Sequence, residues 1–422
     1  MLYLIPGYVL VTYLMFLLDF FIWPIDFDGV LLLSIFVAGV IIALCSGIGL
    51  SRQISVPFEI KSKVSGGFIF KRFIVINILL GLMIFLSISL YTGGGFNDVL
   101  SLALDPKLAY ERTLSFEVNK DGWFYVYKAC SILSAPLYYA VIPLMILQWK
   151  NLSNKKKLFG FMFVMMMVIF SIFRGTDREI GEIIILIIGA SLVNVSCKIK
   201  TKEYTLKKII KVFLYLLFIF VIFFMVFSFR KYERLSGDIY FCIYDVTCLN
   251  KNSFFSDFLW DEIYFSVGML ISYLTQGYYG LYLTMGFDSC FTFFVGHSPF
   301  LTSVAEKIFG VEIYKCSLMG QLSNAGWSDS YTWSTIYPWL ANDLSYYGVI
   351  PFIFLMSIFL SYAWKFATER QLFSGAMVFI FFFYGAIFSV ANNQLALAPE
   401  IYFSFLTWCF LFLNDMEKRK IK

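Results

Sequence analysis

The stretch VFLYLLFIFVIFFMVFSF, residues 212–229, contains no charged residue and decides the class of the protein. Similar runs recur along the chain, and about 20 apolar residues suffice for a helix to cross a hydrocarbon core of about 30 Å. Membrane β-strands would be short alternating segments, whereas these runs are continuous and therefore predict helices. Only 14% of the 422 residues are charged, against about 25% in a soluble domain, which excludes that class.

We predict an all-α polytopic membrane protein with about ten transmembrane helices and one large outward loop. Residues 1–23 lack a basic start and a small-residue cleavage site, so we expect a retained span. The chain then divides into seven spans in 1–229, the loop in 230–348, and three spans with a basic tail in 349–422. The predicted spans are 2–23, 30–48, 73–91, 124–148, 158–173, 180–196, 212–229, 349–364, 374–390 and 401–414.

The distribution of Lys and Arg predicts the orientation of these spans. Most basic residues follow the second, fourth, sixth, eighth and tenth spans, which places both termini in the cytoplasm and the loop outside. Residues 266–286 are uncharged and long enough to span. One extra crossing would move the basic tail outside, so we favour an interfacial or re-entrant helix there. The net charge of +5 is small and clustered beside the spans, which argues against a nucleic-acid partner.

A charged turn, FRGTDREIGE, joins the fifth and sixth spans. Its structural interpretation is a helix start, because Thr176 followed by Glu179 has the spacing of a capping box. Arg178 and Glu182 are four residues apart and are expected to pair along one helix face. This interpretation leaves Arg174 without a role.

The functional interpretation of these arginines is phosphate binding. Charges at membrane depth are costly and often mark a ligand path, and guanidinium groups bind phosphate oxygens two at a time. A second basic group, Arg230, Lys231 and Arg234, follows the seventh span. Snorkelling of long side chains at a helix end is the alternative explanation for that group. We predict that Arg174, Arg178 and the second basic group bind a lipid-linked pyrophosphate.

These features resemble the Wzy-type O-antigen polymerases. The resemblance lies in an arginine-bearing turn that opens a span, an Arg-Lys pair after the next span, and one large outward loop. Residues 333–348, WSTIYPWLANDLSYYG, also resemble the family's Trp and Thr followed by an Asp and a Gly before a span. The resemblance covers residues 174–234 and 333–364, and elsewhere only the number of spans and the place of the loop.

The resemblance implies a GT-C-like glycosyltransferase of the bacterial inner membrane, active in lipopolysaccharide biosynthesis at the periplasmic face. Such an enzyme transfers a growing glycan from undecaprenyl pyrophosphate to a lipid-linked oligosaccharide repeat unit, without a metal or other cofactor. A chain-length regulator protein is a further implied partner. Arg178 and Arg230 match the family's arginines best, and Arg174 is a neighbour. His297 corresponds to the loop histidine of related ligases, although the spacing after it differs.

Glycosyl transfer needs a base for the acceptor hydroxyl, and the candidates are His297, Asp343, Asp329 and Glu182. The ordinary pKa of histidine, about 6.5, suits this task. A lone histidine is also often a structural hydrogen-bonding group, and Asp343 is as well explained by helix capping.

Aromatic side chains of the loop have flat apolar faces and polar ends that suit either sugar stacking or an interfacial belt. These two interpretations stay open for the sugar-binding candidates, which are Tyr278, Tyr279, Trp327 and Trp333.

Four of the eight cysteines, Cys242, Cys248, Cys290 and Cys316, fall within the loop. An even number in an oxidising compartment predicts disulfides. Of the three possible full pairings we favour 242–248 with 290–316. No Cys/His spacing indicates a zinc site.

Other functions remain open. Asp26 and Asp28 resemble the acidic motif of polytopic glycosyltransferases that use polyprenyl-phosphate sugars, although a short acidic turn explains them too. A ligase acting on the same lipid carrier is a second hypothesis, and a lipid-linked glycan flippase or transporter is a third. Transporters usually show repeated halves and broken helices at mid-membrane, whereas these charges gather at one outer boundary.

Overall fold

The computed structural model describes residues 1–51, 53, 67–92, 98–117, 122–203, 205–235, 239–327 and 332–420. These residues are mostly helical, with one short antiparallel pair of strands, β1 (Cys242–Ile243) and β2 (Thr247–Cys248). The helices are α1 (Leu4–Phe16), α2 (Phe27–Ser51), α3 (Gly67–Lys71), α4 (Phe73–Thr92), α5 (Val99–Leu104), α6 (Pro106–Glu117), α7 (Gly122–Tyr138), α8 (Val141–Leu147), α9 (Asn154–Arg174), α10 (Arg178–Lys200), α11 (Leu206–Arg234), α12 (Asp261–Thr284), α13 (Pro299–Phe309), α14 (Ile313–Cys316), α15 (Leu318–Asn324), α16 (Ile336–Glu369), α17 (Phe373–Ile387), α18 (Gln394–Leu397) and α19 (Pro399–Lys420).

Eight helical stretches of the described chain are long and apolar enough to cross a membrane. They correspond to the second through ninth predicted spans, which confirms the predicted class. The protein is an all-α polytopic membrane protein. The stretches are Phe27–Ser51, Phe73–Leu90, Phe124–Leu147, Asn154–Arg174, Arg178–Lys200, Leu206–Glu233, Ile336–Glu369 and Phe373–Val390.

The first predicted span is shorter than expected. Helix α1 has 13 residues, about 20 Å at 1.5 Å per residue, which is less than the core thickness of about 30 Å. The chain turns after it, and the carboxylate of Asp19 accepts a hydrogen bond of 2.9 Å from the Ser253 hydroxyl. This contact ties the end of the first segment to the polar loop. The tenth predicted span lies inside α19, which is not among the eight stretches.

The region predicted as one large loop is largely helical where it is described. Helix α12 covers most of residues 266–286 and is also not among the eight stretches. Helix α16 begins at Ile336, earlier than the predicted start at residue 349, and therefore includes Asp343. It is kinked at Ser345, where φ is 55° and ψ is 166°.

The chain forms two compact units, and each is discontinuous in sequence. In the first unit α1 packs against α2 and α12, and the two strands pair beside them. In the second unit α9 packs against α4, α6 and α10. The first unit consists of residues 1–55, 238–362 and 385–402, and the second of 56–237, 363–384 and 403–422.

Candidate functional site

The turn between α9 and α10 depends on Gly175. This residue has a φ of 62°, and its N–H donates to the carbonyl of Ile172 at 3.0 Å. The next N–H, of Thr176, donates to the carbonyl of Ser171 at 3.3 Å. These two bonds form a Schellman motif, which ends α9 and reverses the chain. A Cβ atom on Gly175 would lie 2.5 Å from the backbone nitrogen of Tyr110, so the turn needs glycine.

This turn places charged side chains from the end of α9, the start of α10 and the end of α11 in one group within the second unit. Four cations and three carboxylates take part, so the group carries a formal charge of +1. We name it the ionic cluster, and its members are Arg174, Asp177, Arg178, Glu179, Glu182, Arg230 and Lys231.

Asp177 joins the start of α10 to the end of α11. Its two carboxylate oxygens lie 3.1 Å from the guanidinium of Arg230 and 3.2 Å from the ammonium of Lys231. Both cations are buried, with 6% and 7% of their surface exposed. Snorkelling does not describe these two side chains, because they turn toward a carboxylate of the neighbouring helix.

Arg174 pairs with Glu179, so the expectation that it has no structural role is wrong. The hydroxyl of Thr176 donates to the same carboxylate at 2.9 Å. The predicted capping box is therefore absent, because Thr176 contacts the Glu179 side chain instead of a backbone N–H. Asp177 is the residue that precedes α10, and its side chain makes no capping bond.

Glu182 is a buried carboxylate with three donors. Arg178 donates from Nε at 3.1 Å, which confirms the predicted pair. The hydroxyls of Tyr384 and Tyr139 donate at 3.2 Å and 3.4 Å. Neither tyrosine was predicted from the sequence. They lie 202 and 43 residues from Glu182 in the chain, and no local pattern connects them.

Arg178 is the most accessible cation of the ionic cluster. Its side chain is 34% exposed, compared with 20% for Arg174, 8% for Arg230 and 9% for Lys231. Among the four cations, Arg178 therefore has the most exposed surface on which an anion could bind. The side chain of the last predicted phosphate-binding residue, Arg234, lies outside the described residues.

His297 and Asp343 belong to the first unit. His297 Nε2 lies 3.0 Å from the hydroxyl of Tyr402. Burial lowers the pKa of His297 below 6.5, while the charge of Asp343 acts in the opposite direction. Asp343 does not cap a helix, because its two oxygens accept from the backbone N–H and the hydroxyl of Thr292, both at 2.6 Å. It holds the loop that carries His297.

The aromatic candidates form part of a packed core. Tyr278 is completely buried, and its hydroxyl lies 2.9 Å from that of Thr12. Tyr279 and Trp327 are also buried, with ring centres 4.9 Å apart. These three rings have no open face on which a sugar could stack. Trp333 is half-buried and is the most exposed of the four.

Both favoured disulfide pairings are confirmed, Cys242 with Cys248 and Cys290 with Cys316. The first of them closes the hairpin of β1 and β2.

The remaining acidic candidates include Asp26 and Asp329. Asp26 accepts from the N–H of Gly29 at 3.0 Å and from the hydroxyl of Tyr282 at 3.4 Å. These contacts agree with a structural turn. Asp329 lies outside the described residues.

Fold and site together define a polytopic helical membrane protein with a buried ionic cluster at the shared end of three apolar helices. No protein-family model, no curated protein and no solved structure matches this chain.

Proposed function

We propose that the protein is a membrane glycosyltransferase of the O-antigen polymerase type, with its site at the periplasmic face of a bacterial inner membrane. It transfers a growing glycan from undecaprenyl pyrophosphate to a lipid-linked oligosaccharide repeat unit. The ionic cluster carries the proposal, because four cations meet at the ends of three apolar helices. The resemblance of residues 174–234 and 333–364 to that family supports the same reaction.

In the proposed reaction, a hydroxyl of the acceptor sugar attacks the anomeric carbon of the donor glycan. The bond between that carbon and the pyrophosphate oxygen breaks, and a protein base takes the hydroxyl proton. Undecaprenyl pyrophosphate leaves with the bonding electrons. Cations fixed beside the leaving group stabilise its developing charge. The proposed reaction is metal-independent because the guanidinium groups supply this positive charge.

Arg178 is the proposed first contact of the pyrophosphate. Its Nε donates to Glu182, and a guanidinium has five N–H donors, so the interaction with Glu182 leaves capacity for phosphate oxygens. The charge of +1 on the cluster favours a bound anion. Arg230 and Lys231 hold the start of α10 through Asp177 and so fix the position of Arg178.

His297, which lies in the first unit, is proposed as the base only from its resemblance to the loop histidine of related ligases. Burial lowers its pKa, which keeps the imidazole neutral at physiological pH and able to accept a proton. Glu182 and Asp343 are proposed as positioning residues, because their oxygens already accept hydrogen bonds from neighbouring side chains.

A ligase acting on the same lipid carrier is the second candidate. Related ligases carry a loop histidine, to which His297 corresponds. The two functions differ in what remains when the gene is lost.

Surface polysaccharide from a deletion strain, separated on a gel, tests the proposal. Loss of a polymerase leaves a lipid core that bears one repeat unit, whereas loss of a ligase leaves a core without any. Arg178→Ala and Arg230→Ala should abolish long chains while the protein remains in the membrane. Lys200→Ala is the matched control, because Lys200 lies in an exposed ion pair at the other end of α10. Long chains in both arginine variants would contradict a pyrophosphate site.

A further inference from the structure

The chain after α12 displays an apolar surface that the proposed reaction does not use. Phe291, Phe293 and Phe294 are 55%, 71% and 64% exposed, and the ring of Phe291 lies 5.3 Å from each of the other two. Phe293 and Phe294 have φ values of 54° and 59°, which residues other than glycine seldom adopt. We name residues 291–294 the Phe turn. Its backbone directs aromatic rings outward.

Helix α13, a few residues further along the chain, also exposes apolar side chains. Thr302 and Ala305 face the protein and are buried. Val304 and Ile308, four residues apart on one side, are exposed together with Phe309. The polar residues Ser303 and Lys307 are also exposed and form a neighbouring strip, about 100° around the helix from Val304 and Ile308. The helix is therefore amphipathic and shows apolar residues beyond those that pack against the fold.

Buried contacts and a disulfide hold the Phe turn in place. Thr292 is completely buried, and both its N–H and its hydroxyl donate to Asp343 at 2.6 Å. The disulfide between Cys290 and Cys316 fixes the chain just before the turn. The exposed rings are thus presented by a well-anchored segment.

The residues between the Phe turn and α13 also contact residues that directly follow a candidate membrane span. The hydroxyl of Ser298 donates to the carbonyl of Ala396 at 2.6 Å, and Asn393 donates to the carbonyl of His297 at 2.7 Å. The preceding span ends at Val390, only a few residues earlier. The Phe turn and α13 are therefore attached at the level where the chain leaves the hydrocarbon core.

We propose that the Phe turn and the exposed apolar side of α13 insert into the lipid bilayer, at the boundary between headgroups and acyl chains. Clustered exposed apolar side chains indicate an interaction site, and the bilayer is the partner that the eight apolar stretches already require. Amphipathic helices that expose apolar residues beside a basic residue bind this boundary, and Lys307 suits lipid phosphates. Insertion does not depend on the proposed reaction.

Photo-crosslinking of the full-length protein in phospholipid nanodiscs tests the proposal. Benzoylphenylalanine replaces Phe293 in one variant and Ile308 in another. Each variant is irradiated in the nanodiscs, and the protein is then analysed by mass spectrometry. We expect the mass increase of one phospholipid at both positions. Ser303 in the polar strip of α13 is the matched control and should give none. Phe218, exposed in the middle of α11, is the positive control for lipid adducts.

Three results would overturn the proposal. A dimer band from Phe293 or Ile308 would show that a second copy covers the surface. When the same variants are irradiated in native membranes, a crosslink to another protein instead of lipid would assign the surface to that partner. Absence of lipid adducts at both positions, when Phe218 gives them, would show that the surface faces water.

Discussion

Individual ion pairs in this protein join helices as well as carrying charge. Asp177 has two buried cationic partners that both come from α11. Burying charges is costly, and removal of one partner leaves the others uncompensated. We therefore expect Asp177 to contribute to the stability of the packing between the start of α10 and the end of α11.

Asp177→Asn should lower the free energy of unfolding by about 3–5 kcal/mol, because it removes the charge of a carboxylate that lies within 3.2 Å of both buried cations, Arg230 and Lys231. Thermal unfolding in detergent measures the effect. Glu369→Gln breaks the exposed pair with Lys200 and serves as the control, with an expected loss of about 0–1 kcal/mol. Equal losses in the two variants would contradict the role given to Asp177.

His297 should make stability dependent on pH. Burial lowers its pKa in the folded protein below 6.5, so the unfolded chain binds the proton more readily. This contribution to stability is complete above pH 6.5 and is lost as the pH falls through the lower folded value. Melting temperatures between pH 8 and pH 5, about the range in which histidine titrates, should fall less steeply in His297→Gln than in the wild type. Parallel curves would exclude His297 as the cause.

At the scale of elements, short connections position the ionic cluster and the segments that flank His297. The Schellman turn at Gly175 brings two helix ends together, and the disulfide between Cys290 and Cys316 holds the segments on both sides of His297. Thr292 and Leu318 lie two residues beyond the two cysteines, and they contact Asp343 and Asn342 of α16. The disulfide therefore braces the connection between this loop and α16.

Removal of the Cys290–Cys316 disulfide by substitution of both residues with serine should destabilise the protein more than removal of Cys242–Cys248. The sequence separations are 26 and 6 residues, for which chain entropy gives about 3.5 and about 2 kcal/mol. Melting temperatures of the two double variants give the comparison. The reverse order would show that the stability lost with each disulfide depends mainly on native contacts and not on the entropy of loop closure.

At the scale of the whole molecule, the cysteines agree with the charge pattern. The four cysteines in disulfides lie within residues 230–348, whereas the free ones, Cys45, Cys130, Cys197 and Cys409, lie in helices. Disulfides persist in oxidising compartments. The basic clusters predict that the same segment faces away from the cytoplasm.

Epitope tags inserted after Lys251 and after Lys202 test this orientation. Both positions are exposed. An antibody should reach the first tag in intact spheroplasts and the second only after permeabilisation, because Lys202 follows a basic cluster. Access to the Lys202 tag in intact spheroplasts would reverse the predicted orientation.

The sequence alone determined the membrane class, eight of the predicted spans, the pair of Arg178 and Glu182, and both disulfides. Long apolar runs and four-residue spacing are local properties of the sequence. The helices and the ion pair that they predict therefore do not depend on how distant segments pack. The early end of α1 and the start of α16 at Ile336 were not predictable in this way. Apolar residues look the same in sequence whether they face lipid or protein.

Only the tertiary structure decided which distant groups meet. It gave Glu182 two tyrosine partners, gave Asp177 two cations of α11, and buried the rings of Tyr278 and Trp327. Each of these contacts joins residues far apart in the chain. Their formation depends on how helices pack against one another, and no spacing within one segment encodes that packing.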